Sequence, residues 1–147
     1  MKDADLTRAA IGAAIEIHRS PCPGLLEAAY EERLARQFAM TNIPFERDKP
    51  IPLIYRDLRL ECGYRLDFLI NQRMAVEINS IESFAPIHES VMLAHLRLSE
   101  SPLGLLINCP NSERWHTPIR VALSRRPKRQ RRDAECAEER RECLKRK

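Results

Sequence analysis

The spacing of apolar residues along the chain predicts three helices. Apolar side chains recur every three or four positions in residues 4–18, 25–40 and 85–99, which is the repeat of an amphipathic helix. The segment 20–24, SPCPG, ends the first helix, because two prolines and a glycine within five residues cannot continue it. On the third helix the recurring apolar positions are Ile87, Val91, Ala94 and Leu98.

Between the second and third helices the pattern changes to the alternation that is typical of strands. The prolines between positions 44 and 52 exclude a central strand there but are compatible with an edge strand. Residues 53–70 alternate around a turn near 56–57, and residues 73–79 follow a turn at 71–72. We expect three strands joined by short turns, which is an antiparallel meander.

The remaining part of the pattern completes an α/β domain. Residues 103–108, LGLLIN, are a short continuous apolar run and predict a buried strand. Residues 115–124 predict either a short helix or an irregular closing segment. The order of two helices, three strands, a helix and a strand indicates a mixed sheet flanked by helices.

The charge distribution divides the chain into a domain and a tail. The 147 residues suffice for one domain with its own core. Residues 1–124 hold 14 basic and 16 acidic residues, whereas residues 125–147 hold 11 basic and 5 acidic residues. We therefore expect a slightly acidic domain over residues 1–124 and a basic, flexible tail over residues 125–147.

The sequence also bears on where the protein is located. No apolar run approaches the ~20 residues that cross a bilayer, and acidic residues interrupt the apolar positions near the N-terminus. The five cysteines are scattered and form no CxxC pair, which favours free thiols over a zinc site or a disulfide framework. These features predict a cytoplasmic protein without a membrane partner.

Two acidic residues in neighbouring predicted strands form a candidate metal site. If residues 71–73 form the connecting loop, Asp67 and Glu77 lie opposite each other on one face, whereas a two-residue loop would separate them. The matched apolar positions of the two strands favour the three-residue loop. Adjacent carboxylates repel unless one is protonated or a cation lies between them, and oxygen ligands of this kind suit Mg²⁺ or Mn²⁺.

An alternative interpretation of Asp67 and Glu77 needs no metal. Half-exposed acids near strand ends are common, and here they could pair with Arg65 or Arg73. Spacing alone favours this structural alternative. Glu27, on the second predicted helix, could be a third acidic member of the site.

Several short motifs favour the metal-site interpretation over the structural alternative. The segment Gly24–Tyr30, GLLEAAY, gives the pattern GxxExxY. Further matches are AAIEIHRS at 13–20, GYRLDFLI at 63–70, VEI at 76–78, HES at 88–90 and LGLLIN at 103–108. In their order and spacing these segments resemble the GxxExxY family, a branch of the PD-(D/E)xK nuclease-like superfamily. The resemblance covers roughly residues 4–123.

The resemblance implies a fold and a set of site residues. The implied fold is the restriction-endonuclease-like αβββαβ core, with Asp67 and Glu77 as the metal-binding acids and Glu27 as the helical acid. A lysine normally follows two residues after the second acid, and a glutamine on the next helix is usual. Here these positions hold Asn79 and Val91. Asn79 carries no charge and cannot take a proton, so we expect weak or no cleavage.

Two histidines are the remaining candidates for a relocated proton-accepting group. His88 and His95 lie seven positions apart on one face of the third predicted helix, and either could reach the site. For each of them, a position on the helix surface or between helix and sheet is the favoured interpretation.

The basic tail is a candidate nucleic-acid contact. Its segment RRPKRQRR would attract phosphates without reading sequence, and it has no aromatic residue to stack on bases. We expect non-specific contact with nucleic acid, with DNA favoured over RNA, and the alternative is a solvated terminus without a partner. The candidate residues are Arg125, Arg126, Lys128, Arg129, Arg131 and Arg132.

Three functions are compatible with these observations. The favoured one is a nuclease-like, nucleic-acid-binding domain with a degraded active site. The second is an active Mg²⁺-dependent nuclease that uses Asn79 or a relocated residue. The third is a non-catalytic protein-interaction module in which the acids are structural.

Overall fold

The structure, a computed structural model, describes residues 2–19, 27–55, 58–60, 64–109 and 120–125. Its helices are α1 (Asp3–Arg19), α2 (Glu27–Met40) and α3 (Pro86–Leu98). The three predicted helices are therefore confirmed, with small differences at their ends. Within the described ranges, none of the helices has the length and apolar character needed to cross a membrane.

Favourable charges and one buried hydrogen bond stabilise the first two helices. Asp3 and Asp5 lie in the first turn of α1, and His18 and Arg19 lie in its last turn, which suits the helix dipole at both ends. The phenol of Tyr30 on α2 is buried and donates a hydrogen bond of 3.0 Å to the carbonyl of Ala14 on α1. This bond joins the two helices and satisfies the hydroxyl in the core.

The strands form one sheet of five and a separate hairpin. The strands are β1 (Phe45–Pro50), β2 (Leu53–Tyr55), β3 (Leu58–Leu60), β4 (Arg65–Ile70), β5 (Met74–Asn79), β6 (Leu103–Asn108) and β7 (Arg120–Arg125). The order in the large sheet is β1-β4-β5-β6-β7, and β2 pairs with β3 in a second sheet. Strands β5 and β6 are parallel, and the other neighbours are antiparallel. This mixed sheet flanked by helices confirms the predicted fold class.

The sheet corrects two details of the predicted topology. The strand β1 pairs directly with β4, because β2 and β3 form a hairpin between them and do not join the sheet as part of a simple meander. Residues 120–125 form the strand β7 and pair with β6, whereas a short helix or an irregular segment was expected. The predicted edge position of β1 is confirmed, since β1 ends the sheet order.

The two faces of the sheet carry separate hydrophobic clusters. Helices α1 and α2 cover one face, where Phe38 packs edge-on against Phe68 with ring centroids 5.5 Å apart. Helix α3 covers the other face, where Met92 and Leu96 are fully buried. A parallel connection needs such a crossover helix, and α3 supplies it between β5 and β6.

Helix α3 buries a different face from the one its apolar spacing suggested. Ile87 and Val91 are exposed, whereas Met92, His95 and Leu96 are buried. Both sets of positions have helical spacing, so the pattern alone does not select the buried one.

The close approach of α3 to the sheet depends on a glycine in β6. A Cβ added to Gly104 would lie 2.5 Å from the Sδ atom of Met92 and 3.2 Å from a methyl carbon of Leu96. The missing side chain therefore makes room for the buried residues of α3.

One strand departs from simple alternation. Phe68 and Ile70 of β4 face α1 and α2, as their parity predicts, but Leu66 belongs to the cluster under α3. On the paired strand β1, Asp48 has a positive φ of 50°. A residue in this left-handed conformation interrupts the regular pleat, and it lies between the pairs that Phe68 and Leu66 make with β1.

Candidate functional site

The hairpin between β4 and β5 brings the two predicted metal-binding acids together. Its loop is the three-residue segment 71–73, in which Asn71 and Gln72 have positive φ angles of 50° and 55°. Phe68 pairs with Val76, so the next positions outward are Asp67 and Glu77. The predicted loop length and the resulting register are therefore confirmed.

The Asp67 carboxylate is half-buried and has no positive partner among the described residues. It accepts one hydrogen bond, of 2.7 Å, from the backbone N–H of Ile78 to its Oδ2 atom. Burial and the nearby charge of Glu77 raise the pKa of Asp67 to about 7, although the hydrogen bond opposes this shift.

The arginines that could have neutralised Asp67 pair elsewhere. The guanidinium of Arg65 lies 3.2 Å from Asp48, and that of Arg73 lies 2.9 Å from Asp3. The structural alternative, in which the site acids pair with Arg65 or Arg73, is thus not what the structure contains. Among the described residues, Asp67 therefore lies beside a second acid without a counter-ion, and a cation between the two carboxylates would relieve their repulsion.

Glu77 is held by a histidine of α3, the helix that covers this face of the sheet. Its Oε1 atom accepts a hydrogen bond of 2.9 Å from Nδ1 of His95 on α3. Both side chains are largely buried, with exposed fractions of 16% for Glu77 and 8% for His95. His95 thus lies between helix and sheet, which was the favoured interpretation, and from that position it contacts a site acid directly.

The second histidine of α3 has a different position. Nδ1 of His88 accepts a hydrogen bond of 2.9 Å from the backbone N–H of Ala85, at the start of the helix. Val91, in the expected glutamine position, is 43% exposed on α3. Of these α3 residues, His95 is the one that contacts Glu77.

Two acids of α2 add negative charge to the site. Partial burial and the charges of Glu31 and Glu77 raise the pKa of Glu27, and the backbone N–H of Ser80 hydrogen-bonds to it and opposes the shift. The charges of Glu27 and Glu31 in turn contribute to the raised pKa of Asp67. The predicted inclusion of Glu27 in this acidic group agrees with the electrostatics.

Glu31 was missed by the sequence analysis. It lies four residues after Glu27, one turn along the same helix, and this spacing was the available signal. Its carboxylate lies 3.7 Å from a guanidinium nitrogen of Arg47, whose charge also approaches the ring of Phe68. Arg47 is shared between Glu31 and Glu32. The charge of Glu31 still contributes to the raised pKa of Asp67.

Asn79, in the expected lysine position, ends β5 with an unsatisfied donor. Its Nδ2 atom is buried and has no hydrogen-bond partner within the described part of the chain. Its backbone carbonyl accepts a hydrogen bond of 2.8 Å from the N–H of Cys109. A buried amide donor of this kind normally has a partner, so it is suited to an oxygen atom of a ligand.

A buried asparagine of β6 fixes the chain that follows Asn79. Asn108 donates to the carbonyl of Ile81 at 2.8 Å and accepts from the N–H of Ile81 at 3.0 Å. Both polar atoms of this fully buried side chain are thereby satisfied. The segment leaving the site is held at one defined point.

An open pocket of about 460 Å³ lies beside Asp67. Asp67 and His95 line it together with Tyr64, Arg65 and Pro50. The ring of Tyr64 meets that of His95 edge to face, with centroids 6.1 Å apart. The pocket therefore offers a carboxylate, a guanidinium and an aromatic surface to a ligand.

The described residues do not form a complete protein cage for a metal. No three histidine, cysteine, aspartate or glutamate side chains among them converge as a metal-binding group. Of the predicted nucleic-acid contacts, Arg125 is exposed at the end of β7. The other five (Arg126, Lys128, Arg129, Arg131 and Arg132) lie outside the described residues.

Comparison with known proteins identifies a family whose model covers most of the chain. The sequence profile of the PD-(D/E)XK nuclease superfamily matches residues 4–120, which include both hairpin acids. Nucleases of this superfamily typically use Mg²⁺ or Mn²⁺. Comparisons with curated proteins and with solved structures find no significant match. The assignment to the GxxExxY branch stays a prediction.

Proposed function

Because the chain belongs to the PD-(D/E)XK nuclease superfamily, we propose that it is a nuclease-like domain that binds nucleic acid and a divalent cation. In this proposal it cleaves phosphodiesters weakly or not at all. One observation carries it: the carboxylates of Asp67 and Glu77 are close together, Asp67 has no cationic partner within the described part of the chain, and the lysine position holds Asn79. The motif Gly24–Tyr30 supports placing the chain in the GxxExxY branch.

The donor atoms of the two acids fit Mg²⁺ or Mn²⁺. Oδ1 of Asp67 and Oε2 of Glu77 have no protein hydrogen-bond partner among the described residues. Magnesium is commonly bound through one or two carboxylates, with waters and substrate phosphate completing its shell, so a third protein ligand is not required. A bound cation would lower the pKa of a bound water and stabilise charge on a phosphate.

Each polar residue of the site has a definable task in this proposal. Asp67 and Glu77 hold the cation, and the N–H of Ile78 orients the carboxylate of Asp67. Nδ2 of Asn79 donates a hydrogen bond to an anionic oxygen of the ligand. It cannot accept a proton from water, and a positioned acid or base is worth about 10²–10⁴-fold in rate. Binding is therefore retained while hydrolysis is slow.

Nucleic acid is the partner that this arrangement supports. A phosphodiester fits a cation flanked by an amide donor. The exposed Arg125 lies at the other end of the sheet, because it pairs with Leu103, which pairs with Met74, so its charge acts outside the site. The basic residues beyond it supply attraction that does not depend on base sequence. In this proposal the domain of residues 1–124 holds the phosphate and the tail of residues 125–147 adds non-specific affinity, with DNA favoured over RNA.

Calorimetry and a nuclease assay test the proposal together. Mn²⁺ titrated into the full chain should bind, and Asp67→Ala should abolish the heat, whereas Glu16→Ala, which changes an exposed acid of α1, should not. Plasmid and single-stranded DNA incubated with Mg²⁺ or Mn²⁺ should remain essentially intact. Absence of both metal heat and nucleic-acid binding at low salt would contradict the proposal and favour a protein-interaction module.

A second candidate, an active nuclease, is favoured by one observation. His95 borders the same pocket as Asp67 and contacts Glu77, so a proton-accepting group is present at the site although the lysine is missing. Cleavage that depends on added metal and disappears in Asp67→Ala would establish this candidate and overturn the degraded-site proposal.

A further inference from the structure

We propose that His95 is a positioning residue of the cation site: its Nδ1–H holds one oxygen of Glu77 and thereby fixes the other oxygen for a divalent cation. The inference deepens the proposed function and rests on it, because both concern the same pair of acids. His95 would act through Glu77 and would not itself touch the cation.

The first support is the hydrogen bond between His95 and Glu77. Within the described ranges, His95 provides the one hydrogen bond that the Glu77 side chain makes, at 2.9 Å to Oε1. A long carboxylate side chain held by a single donor keeps its direction only while that donor is present. The imidazole is therefore in a position to determine where Oε2 lies.

The second support is that His95 is itself firmly held. Its neighbours on α3, Met92 and Leu96, are fully buried against the sheet, and Gly104 of β6 allows them to approach closely. The ring of Tyr64 packs edge to face against the imidazole. A donor on a buried, well-packed helix places its acceptor more exactly than a donor on a loop would.

The third support is the matching arrangement at Asp67. There the N–H of Ile78 holds Oδ2 and leaves Oδ1 available, while His95 holds Oε1 of Glu77 and leaves Oε2 available. Each acid thus has one oxygen engaged by a single N–H donor. Second donors of this kind orient metal-binding carboxylates, and their loss typically lowers metal affinity.

A pair of shape-matched variants tests the inference by calorimetry with Mn²⁺ on the full chain. His95→Asn places an amide nitrogen where Nδ1 lies and keeps the donor, whereas His95→Leu keeps apolar volume and removes the donor. We expect His95→Leu to weaken Mn²⁺ binding about 10–100-fold and His95→Asn to remain within about threefold of the wild type. Ile87→Ala, an exposed change on the same helix, is the control and should bind as the wild type does.

A metal-free measurement keeps the inference testable if a variant does not fold. In ¹⁵N NMR spectra of the folded wild type and of Glu77→Gln, the Nδ1 resonance of His95 should shift, because its charged acceptor has been replaced by a neutral one. An unchanged resonance would overturn the inference.

The outcomes also separate this inference from the proposed function. Equal Mn²⁺ affinity of the wild type and a folded His95→Leu would overturn the positioning role and leave the cation site standing. Equal loss in both histidine variants would overturn it as well, because the retained donor would then be without effect. No Mn²⁺ binding by the wild type would overturn the cation site itself.

Discussion

The Asp67 carboxylate accepts a hydrogen bond of 2.7 Å from the backbone N–H of Ile78, the residue that directly follows Glu77. This bond joins the side chain of one strand to the backbone of the next and fixes the two acids relative to each other. Its stabilising effect on the ionised carboxylate is outweighed by burial and by the charge of Glu77, since the pKa of Asp67 is raised to about 7. The hairpin therefore holds together two groups that repel at neutral pH.

Replacing Asp67 by asparagine should stabilise the metal-free protein at neutral pH. In the unfolded chain the pKa of Asp67 is near 3.8, and in the folded protein it is about 7. Between these values the folded state binds the extra proton, so the free energy of unfolding falls as the pH rises through this window. Above pH 7 the ionised carboxylate destabilises the folded state to its full extent. Asp67→Asn removes this destabilisation and keeps an acceptor for the N–H of Ile78.

The free energy of unfolding of Asp67→Asn should exceed that of the wild type by roughly 1–2 kcal/mol at pH 8. This is less than the full pKa shift implies, because the carboxylate is partly exposed to solvent. Urea unfolding of Asp67→Asn and wild type at pH 4 and pH 8, without divalent cations, measures it. The difference should be small at pH 4, where Asp67 is largely protonated in the folded protein. A difference that does not change with pH would exclude Asp67 as its source.

Restoring a lysine at position 79 should create or increase metal-dependent cleavage. A lysine ammonium there could position and activate water, and a proton-handling group is worth about 10²–10⁴-fold in rate. Linearisation of plasmid DNA by Asn79→Lys, with Mg²⁺ and with EDTA, is the measurement. Asn79→Met, which has a similar length without the charge, is the matched control, and Asn79→Lys combined with Asp67→Ala should be inactive. No gain would mean that the geometry has changed or that Val91 also matters.

Adding a methyl group at position 104 should destabilise the fold. The new Cβ of Gly104→Ala would lie 2.5 Å from Sδ of Met92, so α3 or its side chains must shift. Overpacking of this kind costs about 1–3 kcal/mol. Denaturant unfolding gives the value, and because α3 carries His95, Mn²⁺ affinity should fall too.

A second glycine provides the control for that substitution. Gly12 is exposed on α1, and a Cβ added there would meet nothing within 4 Å. Gly12→Ala should therefore stabilise the protein by about 0.5–1 kcal/mol, since alanine is the better helix former. If both substitutions destabilised equally, the contact with Met92 would not be the reason for the effect at position 104.

Removing residues 126–147 should reduce the salt dependence of DNA binding. If the six basic residues at the start of the tail all contact duplex phosphates, the slope of log affinity against log salt is about −5. The truncated chain keeps Arg125 and loses the other five, so the slope should become smaller in magnitude by about 4. Fluorescence anisotropy with labelled duplex DNA between 50 and 200 mM salt, roughly the range over which such contacts respond, measures both slopes.

The sequence predicted the local features of the fold well because short-range chemistry determines them. Helical apolar spacing located α1 and α2, and prolines identified β1 as an edge strand. The apolar match between the two hairpin strands selected a three-residue loop, which put Asp67 and Glu77 opposite each other. These features depend on residues close together in the chain.

Features that depend on distant residues were predicted less well. The strand β7 forms because β6 offers it a partner, and nothing within residues 120–125 reveals that partner. The buried face of α3 depends on where Gly104 lies in the folded sheet. The sequence alone therefore did not favour His95 as a site residue. The left-handed Asp48 lies beside the point where Leu66 departs from the alternation of β4, and its own sequence context gives no signal of this conformation.

The two hydrogen bonds between Asn108 and Ile81 also bear on how a ligand would be received. They hold the chain that leaves β5 in one defined position at Ile81. A ligand that approaches Asn79 from the side of Ile81 therefore meets a chain segment that is already ordered. It does not have to order this segment on binding, which lowers the entropic penalty of association. On this side of the site, recognition should resemble docking to a rigid surface more than closure of a lid.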